Sequence, residues 1–312
     1  MKFSSVKNHI KRFGQDWREF SFSVAVGRIV LDCPLFAWEK RQHFYENRVY
    51  NYLKKRYQKT LQAEIAKGEG HGPRAQKRIW VMWWQGEEGM PPIVKACYRQ
   101  LLRVKKDWEV VLITKDNWSE YVSFPDYVIE KVDSGKLTLT SFSDLMRAAL
   151  LSKYGGAWFD ATIYAFDLPK ELEEDKFYTL HAPGMFPQFV FRGEWSVFMM
   201  YCPYEEMLFP RALNKLFLEY LERHNRFVDY LLVDYFIKFI RDNSEDFAKA
   251  IEDCQSNYGF YDLSVSINEG YDANKFVEMS NNSPLQKLTY KKEFVEETFQ
   301  GEKTFYGWIK EK

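Results

Sequence analysis

Three side chains able to do chemistry crowd into residues 141–162, which read SFSDLMRAALLSKYGGAWFDAT. Asp144 and Arg147 stand three apart on what reads as a helix, and Asp160 closes a short aromatic run behind it. A guanidinium offers a planar fork of donors that suits an oxyanion, whereas carboxylates accept from hydroxyls or help hold a hard cation. For these groups to act together, a helix must stop and a strand must end beside it. Ser141 reads as the helix N-cap with Asp144 three residues on, and Gly155-Gly156 supplies the positive φ that a helix C-terminus wants. At 100° per residue Phe142, Leu145, Met146 and Ala149 share one face. Asp144 and Arg147 lie on the other with Ala148 and Leu151, which predicts a half-buried pair. On spacing alone, a plain surface ion pair is an equal reading.

The flanking pattern alternates strand and helix. Residues 79–84 read as a buried strand, Pro91-Pro92 opens a helix with Ile93, Cys97 and Leu101 at fourfold spacing, and residues 110–114 read as a second strand. Such a βαβ start predicts an α/β fold with a parallel sheet, whose ligands sit beyond the carboxyl ends of its strands. Trp84, Gln85, Gly86, Thr114 and Asp160 all fall at those ends and are expected in one crevice. Residues 204–254 look helical and mostly core. Within them Asp234, in LLVDYFIKF, sits in an apolar run where a carboxylate is costly unless paired, so it either faces an acceptor or bonds a tyrosine.

Residues 1–66 carry helical patterns, and residues 67–78, KGEGHGPRAQKR, read as a linker rather than a phosphate cradle, since they match no G-x-G-x-x-G or P-loop. The expected division is an N-terminal helical extension over residues 1–72 and an α/β domain over residues 78–312. The extension is either a cap on that domain or a membrane-surface element using Phe20, Phe22, Val24, Val26, Ile29, Val30 and Leu31. Charge balances at 44 basic against 44 acidic residues, which leaves no electrostatic footprint for nucleic acid. The 26 Phe, 20 Tyr and 10 Trp suit stacking on sugars and bases, although most belong to the core. Four scattered cysteines and five histidines show neither C-x-x-C nor H-x-x-x-H spacing. With no stretch long enough for a membrane span, the expected place is the cytoplasm or the inner face of its membrane.

The run at residues 142–162 resembles the sugar-nucleotide motif of the glycosyltransferases of capsular polysaccharide synthesis, which are similar to glycosyltransferase family 32 and more distantly to the glucosylating bacterial toxins. There a D-x-x-R helix leads through a Tyr-Gly-Gly turn to D-x-D at a strand end. The likeness extends to RIWVMWWQG at residues 78–86, VVLITKDN at residues 110–117 and SPLQKLTYK at residues 283–291, roughly the last three quarters of the chain. It implies a GT-A-like, Rossmann-like sheet flanked by helices, and a retaining hexosyltransferase acting on a nucleoside diphosphate sugar and a glycan or lipid-linked acceptor. Asp144 and Arg147 match the positions that hold the donor sugar and diphosphate; Trp84 and Gln85 are candidates for the base, and Lys287 matches a lysine that reaches back to the diphosphate. Asp160 matches the first Asp of D-x-D and Thr162 replaces the second, so Mn²⁺ or Mg²⁺ is expected to bind weakly until donor phosphates complete its shell. Two other classes remain open: an inactive sugar-nucleotide or glycan-binding module, and a membrane-associated assembly factor.

Overall fold

A computed structural model describes residues 3–35, 37–70 and 72–312. His71, within the expected linker, lies outside the described residues. Three helices open the chain: α1 (Phe3–Glu19), α2 (Phe22–Asp32) and the 28-residue α3 (Trp38–Ile65). The sheet then begins with β1 (Arg78–Met82), α4 (Pro92–Val104) and β2 (Glu109–Ile113), followed by the short α5 (Trp118–Tyr121) and α6 (Asp126–Asp133). Next come α7 (Leu139–Tyr154), β3 (Gly156–Phe159), β4 (Ile163–Ala165), β5 (Tyr178–Thr179) and β6 (Met199–Cys202). The remainder comprises α8 (Leu208–Arg223), α9 (Leu232–Arg241), α10 (Glu245–Glu252), α11 (Asp262–Ser266), α12 (Ala273–Asn282), β7 (Leu285–Lys287) and α13 (Phe305–Glu311).

The architecture is α/β and GT-A-like, as expected, but the sheet is mixed. Its order is β2-β1-β3-β6-β5, with β1 parallel to β2 and β3, and β6 antiparallel to both β3 and β5. The apolar run of β1 suits a strand covered on both faces: Ile79, Trp80 and Val81 are all at most 1% exposed. Proline at the start of α4 and burial of Ile93, Cys97 and Leu101 follow the predicted pattern. A separate antiparallel ribbon pairs β4 with β7, placing Ile163 opposite Lys287.

One apolar cluster runs from Phe20 to Ile309, so the N-terminal helices share the core of the sheet domain, with Tyr45, Val49, Leu53, Tyr57 and Leu61 of α3 all buried. The stretch after His71 is pinned rather than free: Gly72 N–H donates to the Glu205 carbonyl at 3.0 Å and Ala75 N–H to that of Pro203 at 2.8 Å. Polar clasps hold α1 and α2 to the loop after α8. Buried Asp16 accepts from Arg28 and Arg226, each at 2.7 Å, and Arg226 also reaches Glu19 at 2.8 Å.

Candidate active site

The cap of helix α7 lies three residues before the predicted one. Thr138, in extended conformation, accepts from the Ser141 N–H at 3.2 Å, while Ser141 is already helical. A threonine and a serine three apart compete for one cap, and the earlier wins because Leu139 can extend the first turn. The helix ends at Gly155 (φ 59°), and Gly156 (φ 80°) starts β3. A Cβ on Gly156 would lie 2.6 Å from the Arg78 carbonyl oxygen, and one on Gly155 2.8 Å from that of Cys202. The double glycine thus lets the chain reverse tightly against β1 and β6, which sets Asp160 beside α7.

Both faces of α7 are covered. It packs against β1, β3 and α8, and Phe142 and residues 144–151 are all buried. Arg147 is only 3% exposed and Asp144 is 9%, so the pair is buried rather than half-buried. Arg147 uses its fork on two carboxylates: Nη1 donates to Asp144 Oδ1 at 2.8 Å and Nη2 to Asp160 Oδ1 at 3.3 Å. The guanidinium also stands over the Trp158 ring, 5.0 Å from its centroid, and its Nε–H has no protein partner. The Trp158 indole donates to Asp160 Oδ1 at 2.9 Å. From the second ribbon, Lys287 Nζ donates to Asp160 Oδ2 at 2.8 Å and to Thr162 Oγ1 at 2.7 Å.

These groups line a crevice of about 970 Å³ beyond the carboxyl ends of β1 and β3. That size suits a nucleotide sugar with part of an acceptor. Trp84, Gln85, Asp144, Arg147, Asp160, Thr162, Asp234 and Lys287 share this lining. Gly86 and Thr114 do not. Strand β2 is at the sheet edge, one strand further from β3, and the turn after it consumes Thr114: its N–H donates to Asn117 Oδ1 at 2.8 Å and its hydroxyl accepts from Asp116 N–H. Gly86, at φ 74°, is skipped, although Gln85 before it and Gly89 after it line the crevice. Asp234 faces the crevice, and its partner is the Trp195 indole, donating to Oδ1 at 2.9 Å, rather than a tyrosine.

Sequence reasoning passed over several wall residues. Trp83 and Tyr290 meet edge to face at 5.4 Å, and Tyr230, Tyr261, Lys291 and Lys292 complete that side. The Trp83-Trp84 doublet was a usable signal, because past a strand end the alternation of side-chain direction lapses and both rings can reach one space.

The three carboxylates are driven apart in acidity. Burial pushes the Asp144 carboxyl up to about 6 against the pull of Arg147. Burial likewise lifts Asp234 to about 7, opposed by the Trp195 hydrogen bond and reinforced by Asp144. For Asp160 burial also acts upward, but the Lys287 ammonium and Arg147 outweigh it and hold the group below its usual value. Near neutral pH the crevice therefore carries one firmly ionised carboxylate and two that exchange protons readily.

The residues that the resemblance assigns to a divalent cation do not suit one. Asp160 already accepts from three donors, and Thr162 offers a neutral hydroxyl held by Lys287. A dication about 3 Å from an ammonium meets roughly 11 kcal/mol of repulsion at an effective dielectric of 20. Among the described residues no group of three or more His, Cys, Asp or Glu could hold a metal.

A mixed sheet with an arginine-bridged carboxylate pair beyond its parallel strand ends defines a GT-A-like α/β protein. Residues 36–309 match the capsular polysaccharide synthesis protein family, and the chain belongs to it. It is also similar to O-glycosyltransferase braB of Annulohypoxylon truncatum, 31% identical over 105 residues, or 31% of this chain and 25% of that protein. The chain thus spans about a quarter of that relative's length. No solved structure matches it.

Proposed function

We propose that this protein is a glycosyltransferase that moves a hexosyl group from a nucleoside diphosphate sugar to a surface polysaccharide or its lipid-linked precursor, with retention of configuration. The observation that supports this most is Arg147, buried between Asp144 and Asp160, in a crevice also reached by Lys287. Glycosyl transfer leaves negative charge on the departing diphosphate, and fixed cations at that place lower the barrier. Arg147 and Lys287 supply them. Asp144 accepts from sugar hydroxyls, Trp84 and Gln85 flank the base, and Asp234, half-protonated near neutral pH, takes or gives a proton on the acceptor side. The test is a thermal-shift panel of nucleotide sugars followed by turnover. A ligand at 100 times its Kd should add about 2.7 kcal/mol of stability. Binding without turnover would favour the inactive module, and a panel with no hit would refute the reading. Anomeric configuration in the first product, read by NMR, tests retention.

The lipid-linked acceptor is favoured by the outer face of α1 and α2. Ile10, Trp17, Phe22 and Ile29 stand exposed there, and Phe13, Trp17 and Phe22 form a ring cluster with centroids 5.5–6.0 Å apart. Lys11, Arg12 and Arg18 are exposed around them, whereas Asp16 and Glu19 are taken by Arg28 and Arg226. An apolar aromatic face with a basic rim fits an anionic bilayer surface. No helix among the described residues is long and apolar enough to cross a membrane. The wild type should sediment with phosphatidylglycerol vesicles, and Trp17→Ser/Phe22→Ser should not; equal recovery of both would remove the bilayer from the proposal, and self-association lost in the variant would assign the face to a second copy.

A further inference from the structure

We infer that the Lys287 ammonium occupies the seat a divalent cation would take, so that this protein binds nucleoside diphosphate without metal. The inference rests on the donor reading proposed above and specifies how that donor is held.

The backbone dictates where Lys287 goes. In the β4–β7 ribbon Ile163 pairs with Lys287; the Leu288 N–H donates to the Thr162 carbonyl at 2.9 Å, and the Lys287 N–H donates to that of Phe260 at 2.6 Å. With both flanks fixed, the lysine stem runs along the turn 160–162, and Nζ arrives at 2.8 Å from Asp160 Oδ2 and 2.7 Å from Thr162 Oγ1. Those two oxygens are the ones an Asp-x-Thr turn has to offer a metal. The Phe198 ring lies beneath the ammonium, 5.1 Å away at its centroid, closing the apolar side.

An ammonium carries three N–H donors. Two are used on Asp160 and Thr162, and among the described residues no protein acceptor takes the third. Lys287 lines the same crevice as Arg147, whose Nε–H is also without a protein partner. A diphosphate entering there meets two fixed positive charges and the third Lys287 N–H, while the Arg147 Nε–H stays buried behind. Asp160 orients both cations from behind, one through each carboxylate oxygen.

Replacing a metal by a lysine changes what binding depends on. A dication bridging Asp160 and phosphate would make affinity follow metal concentration, whereas an ammonium is covalently part of the chain and present at every metal concentration.

The experiment is calorimetric titration of the full-length protein with UDP, and in parallel GDP, in excess EDTA and in excess Mn²⁺. For the wild type we expect equal affinity in the two conditions. Lys287→Ala should weaken binding in EDTA about tenfold or more, the loss of one charge-assisted bond to phosphate, and should recover part of it when Mn²⁺ fills the vacated seat. Thr162→Asp alone should remain indifferent to Mn²⁺, because Lys287 still pairs the new carboxylate; Thr162→Asp/Lys287→Ala should respond most strongly. If Lys287→Ala does not fold, Lys287→Gln gives the same reading with a neutral side chain of similar reach. Wild-type affinity that rises about tenfold or more with Mn²⁺, or Mn²⁺ that binds tightly with no nucleotide present, overturns the inference and leaves the transferase reading standing. If neither nucleotide binds in either condition, the donor reading itself fails and takes this inference with it.

Discussion

Replacing Asp234 with asparagine should stabilise the protein at alkaline pH and change little in acid. In the folded chain burial lifts this carboxyl from 3.8 to about 7, while in the unfolded chain it returns to its ordinary value. Between pH 4 and pH 7 the folded state therefore holds a proton that the unfolded state has released. Stability falls as pH rises through that window, and the loss is complete above the folded value. Three units at about 1.4 kcal/mol each set a ceiling of roughly 4 kcal/mol on the penalty at pH 8. Asparagine cannot ionise, and its amide oxygen can still accept from the Trp195 indole, so the variant escapes the penalty without losing the bond. Asp144, raised to about 6 by burial, titrates in both proteins and largely subtracts out. Urea unfolding of wild type and variant at a series of pH values measures the difference. It should be near zero at pH 3, grow steadily from pH 4 to pH 7, and reach at least about 2 kcal/mol, in favour of the variant, by pH 8. A difference that stays flat with pH would show that Asp234 does not hold its proton near neutrality, and its assigned role in proton transfer would fall with it.

Arg147→Ala should abolish transfer and also destabilise the fold by about 3–5 kcal/mol, because it leaves buried Asp144 without its cation while Asp160 keeps Lys287 and Trp158; activity assay with denaturant unfolding checks both. Arg147→Lys retains a charge but not the fork, so the protein should fold while transfer drops about a hundredfold, read as kcat/KM. Gly156→Ala should cost roughly 2–4 kcal/mol in urea unfolding, combining a left-handed backbone with a Cβ driven against the Arg78 carbonyl.

What was legible in the sequence was local. The turn from α7 into β3 announces itself through adjacent glycines, α4 through its prolines, and the parallel start through two apolar runs at crossover spacing. Periodicity divided α7 into two faces, yet it could not show that elements distant in sequence cover the helix so fully that Arg147 is only 3% exposed. Thr114 was misplaced for a related reason: it lies near a strand end, but only the order β2-β1-β3, a non-local fact, puts the edge strand out of reach of the crevice, whereas Gly86 follows β1 and is passed over between Gln85 and Gly89, which do line it. The β4–β7 ribbon left almost no trace. Two three-residue strands more than a hundred positions apart have no period to detect, so Lys287 was visible through resemblance and its partners were not. The Trp195 partner of Asp234 escaped likewise, being a contact between a loop and a helix with no shared pattern.

Because Lys287 rides on that ribbon, 127 residues beyond Asp160, the anion-binding side of the crevice is finished late in synthesis. A nascent chain that has emerged only as far as α10 already possesses the main sheet, α7 and the buried Arg147, but Asp160 still lacks its ammonium. On the proposed donor reading, such an intermediate should bind nucleotide about tenfold or more less tightly than the full chain, as Lys287→Ala should. The same late segment also completes the core, since Leu285, Leu288, Phe305, Tyr306 and Ile309 are buried in it, so on the proposed reading folding of the last elements and the phosphate grip of Lys287 arrive together.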